Sequence, residues 1–222
     1  EWAQRRRRAL DATWSGAHGA LNGAFRSASA TVDALGPVGR STYTPSVTYP
    51  TAWPATDLSR ALTEVAKLIK ADVGTEVITI DFGDWDMHDG YGTLDWGRMM
   101  TLVGAFAASV SAFLQDLGPL RSRVTVATIS EFGRRLVENG NRGLDHGWGN
   151  MMLLFGGRVE GGRYHGNWPG LGQPQGSDPD LHVTTDYRQI LGEIVHRSFP
   201  GKAVSQVFPG LVYDPLGVIR TS

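Results

Sequence analysis

The residues best suited to chemistry lie in "VITIDFGDWDMHDG", Val77 to Gly90, where an apolar run opens into four carboxylates and a histidine. Asp84, Asp86, His88 and Asp89 fall just beyond that run. Hard and borderline metals take carboxylate oxygen and imidazole nitrogen as ligands, so the pattern suits a hydrolytic metal site. Aspartates beside Gly83 and Gly90 are equally at home as turn formers, and this stretch alone does not choose between the two. Two further segments raise the metal reading. "SEFGRR" offers Glu131 as a carboxylate and Arg134 as a guanidinium able to grip an oxyanion at two points, although Arg134 could simply pair with Glu131 or Glu138. "GLDHGWGN" sets Asp145 and His146 in a glycine-rich turn whose backbone can approach a bound group closely.

The elements around these segments are expected to alternate. Residues 2–35 read as one or two helices ended by Gly36 and Pro37. The four prolines of residues 37–55 predict an extended connector or lid. Asp57 is placed to cap a helix whose apolar residues, Leu58 to Ile69, recur at helical spacing and which closes at Gly74. "EVITID" (76–81), "VTVATI" (124–129) and "MMLLF" (151–155) read as buried strands, with a helix over 94–117 between the first two and another over 185–197. Residues 156–179 read as a long loop. Strands alternating with helices predict a three-layer α/β/α sandwich with a mainly parallel sheet, whose sites form at the carboxyl ends of the strands.

Composition narrows the chemistry. The 222 residues carry no cysteine, which excludes disulfides, thiolate metal sites and a cysteine nucleophile. A formal charge of -1 gives no reason to expect nucleic acid or an anionic membrane as partner. No membrane span is expected, and Arg5 to Arg8 read as a solvated helix face. Of the other histidines, His165 on the glycine-rich loop is a possible ligand or substrate contact and His182 a weaker one. His18 and His196 lie in helical stretches. Trp85, Trp148 and Trp168 flank the motifs and could wall a pocket.

Taken together and in order, "ITIDFGDWDMHDG", "ATISEFGRR", "GLDHGWGNMMLLFGGRVEGG" and "YHGNWPG" resemble the bacterial DUF1501 family, within the alkaline phosphatase and sulfatase superfamily. The resemblance covers roughly residues 57–200. It implies an alkaline-phosphatase-like α/β domain over residues 57–222, preceded by a helical segment and connector over 1–56. It further implies a metal-dependent hydrolase of phosphate or sulfate esters holding zinc or manganese, one site more readily than two. Asp84, His88 and His146 would be the ligands, with Asp86, Asp145 and His165 as additional candidates. Glu131 would act as ligand or general base, and Arg134 would hold the ester oxygens. Glu131 and Phe132 stand where the superfamily has the Asp-His pair of its second metal, and Phe132 cannot ligate. The family's nucleophile lies upstream of these motifs, so the chain reads as a C-terminal portion completed by the N-terminal part of its own precursor. Twin-arginine export is implied as well. The alternative is a non-catalytic exported binding or scaffold protein with a degenerate site.

Overall fold

The computed structural model describes residues 1–16, 19–172 and 180–220, so His18 and the end of the glycine-rich loop lie outside the described residues. The chain divides into two compact units, one of residues 1–45 and 64–78, the other of 46–63 and 79–222.

In the first unit, α1 (Trp2–Trp14) and α2 (Ala20–Arg40) bury no residue, so neither helix is held by a core of its own. Polar contacts join them. Arg7 donates to Ser29 Oγ and, at 2.9 Å, to Asp33 Oδ2, while Trp14 and Phe25 stack with ring centroids 6.3 Å apart. α2 runs past Gly36 and Pro37, which were expected to end it. A proline so near a helix end gives up one amide bond, and the helix still closes with Ser41 N–H on the Pro37 carbonyl.

The second unit is organised around α4 (Arg98–Leu117), which continues as a 3₁₀ turn over Gly118–Arg123. Contrary to expectation, Arg98–Arg123 is long and apolar enough to cross a bilayer by length and composition. One face of it packs within this unit. Leu102, Val110, Phe113 and Leu117 are buried, together with Leu58 and Leu62 of α3 (Ala55–Ala71), and Ser109 shares a 3.0 Å hydrogen bond with Ser59. Buried Asp116 accepts from Ser46 N–H at 2.8 Å and from Tyr49 O–H at 3.1 Å, which pins the proline-rich connector to this helix.

The sheet departs from the expected one. β1 (Thr125–Ala127) pairs with β4 (Leu154–Gly156), and β2 (Gly133–Arg134) with β3 (His146–Gly147), both antiparallel. Among the described residues there is no parallel ladder and no extended sheet, so the three-layer α/β/α sandwich is not the fold of this chain. The physical reason lies in the connections. Parallel neighbours need a crossover of a dozen or more residues, usually a helix, and residues 128–153 contain none. The chain instead makes the short β2–β3 ribbon and returns alongside β1. "EVITID" forms no strand among the described residues, and Val77 stays 75% exposed.

The C-terminal segment closes over α5 (Tyr187–Ser198), which Asp186 caps by accepting the Arg188 amide at 2.9 Å. Buried Glu193 on that helix accepts from the amides of Leu216, Gly217 and Ile219 at 2.9 to 3.0 Å. Val218 and Ile219 are thereby seated in a small core with Val159, Leu154, Ile190 and Ile194.

Candidate metal centre

Three segments of the second unit build the site. The first is anchored by Phe82, which meets Trp85 edge-on at 5.6 Å and stacks on Phe106 of α4 at 6.3 Å. Beyond Asp84, Met87 is fully buried while Asp86 and His88 on either side of it are exposed. Such alternation is that of extended backbone, which places side chains two apart on one face. Leu144 N–H bonds the Met87 carbonyl at 3.0 Å and Tyr91 N–H the Arg142 carbonyl at 2.9 Å, so residues 142–144 lie alongside. The third segment is the β2–β3 ribbon, where Arg134 faces His146 and Gly133 faces Gly147. A Cβ at Gly133 would overlap the Gly149 carbonyl, so backbone packs directly on backbone there and carries His146 close to Phe132.

These segments bring Asp86, His88 and His146 together, with their potential ligand atoms within 4.8 Å of one another. Both imidazoles direct Nε2 at the same carboxylate oxygen: His146 lies 2.8 Å and His88 3.0 Å from Asp86 Oδ1. His88 Nδ1 is held in turn by Asp145 Oδ1 at 2.7 Å. The His146 ring stacks on Phe132, centroids 4.0 Å apart and planes within 8°. The Asp86 carboxyl is held below the usual aspartate range, first by its hydrogen bond from His146 and further by the charges of His88, His146 and Arg134. Asp145 is lowered as well, by the hydrogen bonds from His88 and then Asn139.

Two imidazole nitrogens and a carboxylate oxygen are a donor set suited to zinc or manganese. All three residues are about half exposed, which leaves one side open to water or substrate. A carboxylate on the far nitrogen of His88 is the partner that metal-bound histidines usually carry.

The expected residues fare differently. His88 and His146 are in the cluster, joined by Asp86 in place of Asp84. Asp84 has φ 66°, in the left-handed region, where the extended run is broken, and it stands exposed outside the cluster. Arg134 points inward: its guanidinium donates to the carbonyls of Trp85 and Leu144, lies over Phe132 at 4.7 Å, and comes no nearer than 3.7 Å to Asp86. Glu131 is exposed and takes no part in the cluster. His165 contacts the Glu160 carbonyl at 2.9 Å, His182 is exposed, and His196 of α5 stands exposed beside Tyr213. Trp148 and Trp168 are 74% and 65% exposed. Sequence reasoning passed over Asn139, whose amide nitrogen donates to the His88 carbonyl at 2.9 Å and to Asp145 Oδ1 at 2.8 Å. Its only signal was an asparagine among glycines in "ENGNRG", a common turn composition.

Residues 53–196, which contain every member of the cluster, match the family described as "Protein of unknown function (DUF1501)". The chain belongs to the DUF1501 family. No curated protein and no solved structure matches this DUF1501 chain. The family match spans the end of the connector, α3, α4 and both strand pairs, and it ends within α5. In this DUF1501 member the three segments expected to converge therefore all lie within the matched span.

Proposed function

We propose that Asp86, His88 and His146 bind one divalent metal, zinc or manganese, and that the chain is the metal-bearing part of a hydrolase acting on phosphate or sulfate esters. The observation that carries this reading is the convergence of two Nε2 atoms on one carboxylate oxygen, with Asp145 behind His88. A bound divalent cation supplies Lewis acidity, polarising an ester oxygen and lowering the pKa of water. The chain's own residues set the geometry. Asp145 accepts a hydrogen bond from His88 Nδ1–H, leaving Nε2 to face the cation. Phe132 restricts the His146 ring by stacking on it. Arg134 ties the Trp85 and Leu144 carbonyls together and so holds two of the three segments in register.

A second reading is favoured by that role of Arg134, because a guanidinium committed to backbone carbonyls is not aimed at a substrate oxyanion. On this reading the chain is a metal-bearing binding or scaffold protein. One experiment tests both: metal content after equilibration with zinc or manganese, then turnover of nitrophenyl phosphate and nitrophenyl sulfate, for the chain and for His146→Ala. About one metal per chain with turnover, both lost in the variant, is expected. Metal without turnover favours the second reading, and equal metal content in parent and variant refutes the site.

A further inference from the structure

Asn139 touches neither Nε2 atom of the cluster, yet its side chain makes four hydrogen bonds around it. Its Oδ1 accepts from the amides of Asn141 and Gly143, at 2.9 and 3.0 Å. With the oxygen so engaged, the amide cannot flip, and its nitrogen must face the His88 carbonyl and Asp145 Oδ1. That same Oδ1 receives His88 Nδ1 at 2.7 Å. Asn139 thus grips the main chain and the carboxylate partner of one histidine at once, from a turn that also carries residues 141–143.

We propose that Asn139 is a positioning residue of the metal centre: it orients Asp145 so that His88 keeps its proton on Nδ1 and presents Nε2 to the cation. This rests on the metal-binding reading of Asp86, His88 and His146. Carboxylate partners of ligating histidines typically change metal affinity by about 10- to 100-fold when removed. Asn139 acts through such a partner, so its removal falls in that range and does not add to the loss of Asp145 itself.

The test is a thermodynamic cycle on the full chain, with zinc affinity measured by competition with a chromophoric chelator for the parent, Asn139→Ala, Asp145→Ala, the double variant and His146→Ala. In parallel, nitrogen-15 NMR follows the His88 Nδ1 proton without metal. The expected result is about a 10- to 100-fold loss in each of the first two variants, with a double variant no weaker than Asp145→Ala alone. The Nδ1 proton should exchange faster in Asn139→Ala than in the parent. Parent-like affinity in Asn139→Ala, multiplicative losses in the double variant, or an unchanged Nδ1 proton would each overturn the role of Asn139 while leaving the metal site intact. If the parent binds zinc no better than His146→Ala, the metal reading fails and takes this inference with it. Should Asn139→Ala unfold, Asn139→Asp decides, because it keeps the acceptor for both backbone amides and removes only the donor. Its added negative charge by itself favours a cation, so a weaker affinity reports the lost donor and an affinity equal to or above the parent's overturns the proposal.

Discussion

Replacing Gly143 by alanine probes whether the site depends on the close approach of residues 142–144 to residues 87–91. Gly143 has no unusual backbone angle that would exclude alanine, and space alone forbids it. An added Cβ would overlap the carbonyl carbon and oxygen of His88 and the amide nitrogen of Asp89, all main-chain atoms that no rotamer change can move aside. The nearest of these atoms would lie 2.1 Å from the new Cβ, so restoring an ordinary contact of about 3.5 Å requires the two segments to separate by about 1.4 Å. The hydrogen bonds at stake are Leu144 N–H to Met87 and Tyr91 N–H to Arg142. At about 1 kcal/mol net each, their loss costs about 2 kcal/mol. His88 rides on one separating segment, and the other runs within two residues into β3 and His146, so the zinc affinity should fall at least about tenfold, as when a ligand's supporting partner is removed. Urea unfolding in the presence of chelator reads the first effect, and chelator competition for zinc reads the second. Parent-like values in both would refute the claim that backbone contact at Gly143 sets the spacing of the two histidines. Loss of stability with unchanged affinity would refute the link to the metal centre alone.

His146→Ala should abolish zinc binding in equilibrium dialysis, whereas Asp145→Ala should weaken it by about 10- to 100-fold, because the first removes a ligand and the second only the group orienting one. Glu193→Ala should cost about 2 to 4 kcal/mol in chemical unfolding, since the amides of Leu216, Gly217 and Ile219 lose their acceptor and only the more exposed of them can turn to water. Asp186→Ala should cost about 1 kcal/mol, the usual value of a side-chain helix cap. The Asp186 carboxyl is lowered by its hydrogen bond from Arg188, so its stabilisation is present above the ordinary aspartate range and is lost as pH falls through the depressed folded value. The stability difference between parent and Asp186→Ala should therefore vanish in acid, as followed by thermal unfolding across pH.

The helices were legible because their signals are local. The spacing of Leu58 and Leu62 and of Val110 and Phe113 marks a single buried face. The sheet was not legible because strand pairing is non-local. "EVITID" and "VTVATI" are both rich in β-branched residues, yet the second acquires a partner only over Thr125–Ala127 and the first acquires none among the described residues. A short apolar run states that it can pair and is silent on what it pairs with. The direction of pairing was readable in principle, since no helical pattern separates "VTVATI" from "MMLLF" and an antiparallel return is what a helix-free connection permits.

The same division between local and non-local explains the site. Residue types and segments could be named from the sequence, because carboxylates, histidines and glycines cluster in three motifs. Which aspartate joins His88 depended on a backbone detail. In an extended run Asp84, Asp86 and His88 would all share a face, and only the left-handed turn at Asp84 removes it from the set. Asn139 illustrates the converse case. Its role comes from two hydrogen bonds reaching across 51 and 6 residues, and no spacing rule joins an asparagine in a turn to a histidine so far upstream. If ligand choice is set by backbone conformation in this way, then restoring an extended conformation at residue 84 should make a second carboxylate available to the same cation. Asp84→Val disfavours the left-handed region but brings no carboxylate. The informative variant is instead Trp85→Pro, because a proline biases the residue before it toward the extended region while leaving the Asp84 carboxylate in place. Zinc affinity in Trp85→Pro should exceed that in Trp85→Pro with Asp84→Asn by about tenfold if the left-handed turn is what holds Asp84 out of the cluster. Equal affinity in the two would mean that Asp84 is kept from the metal by something other than its own backbone conformation.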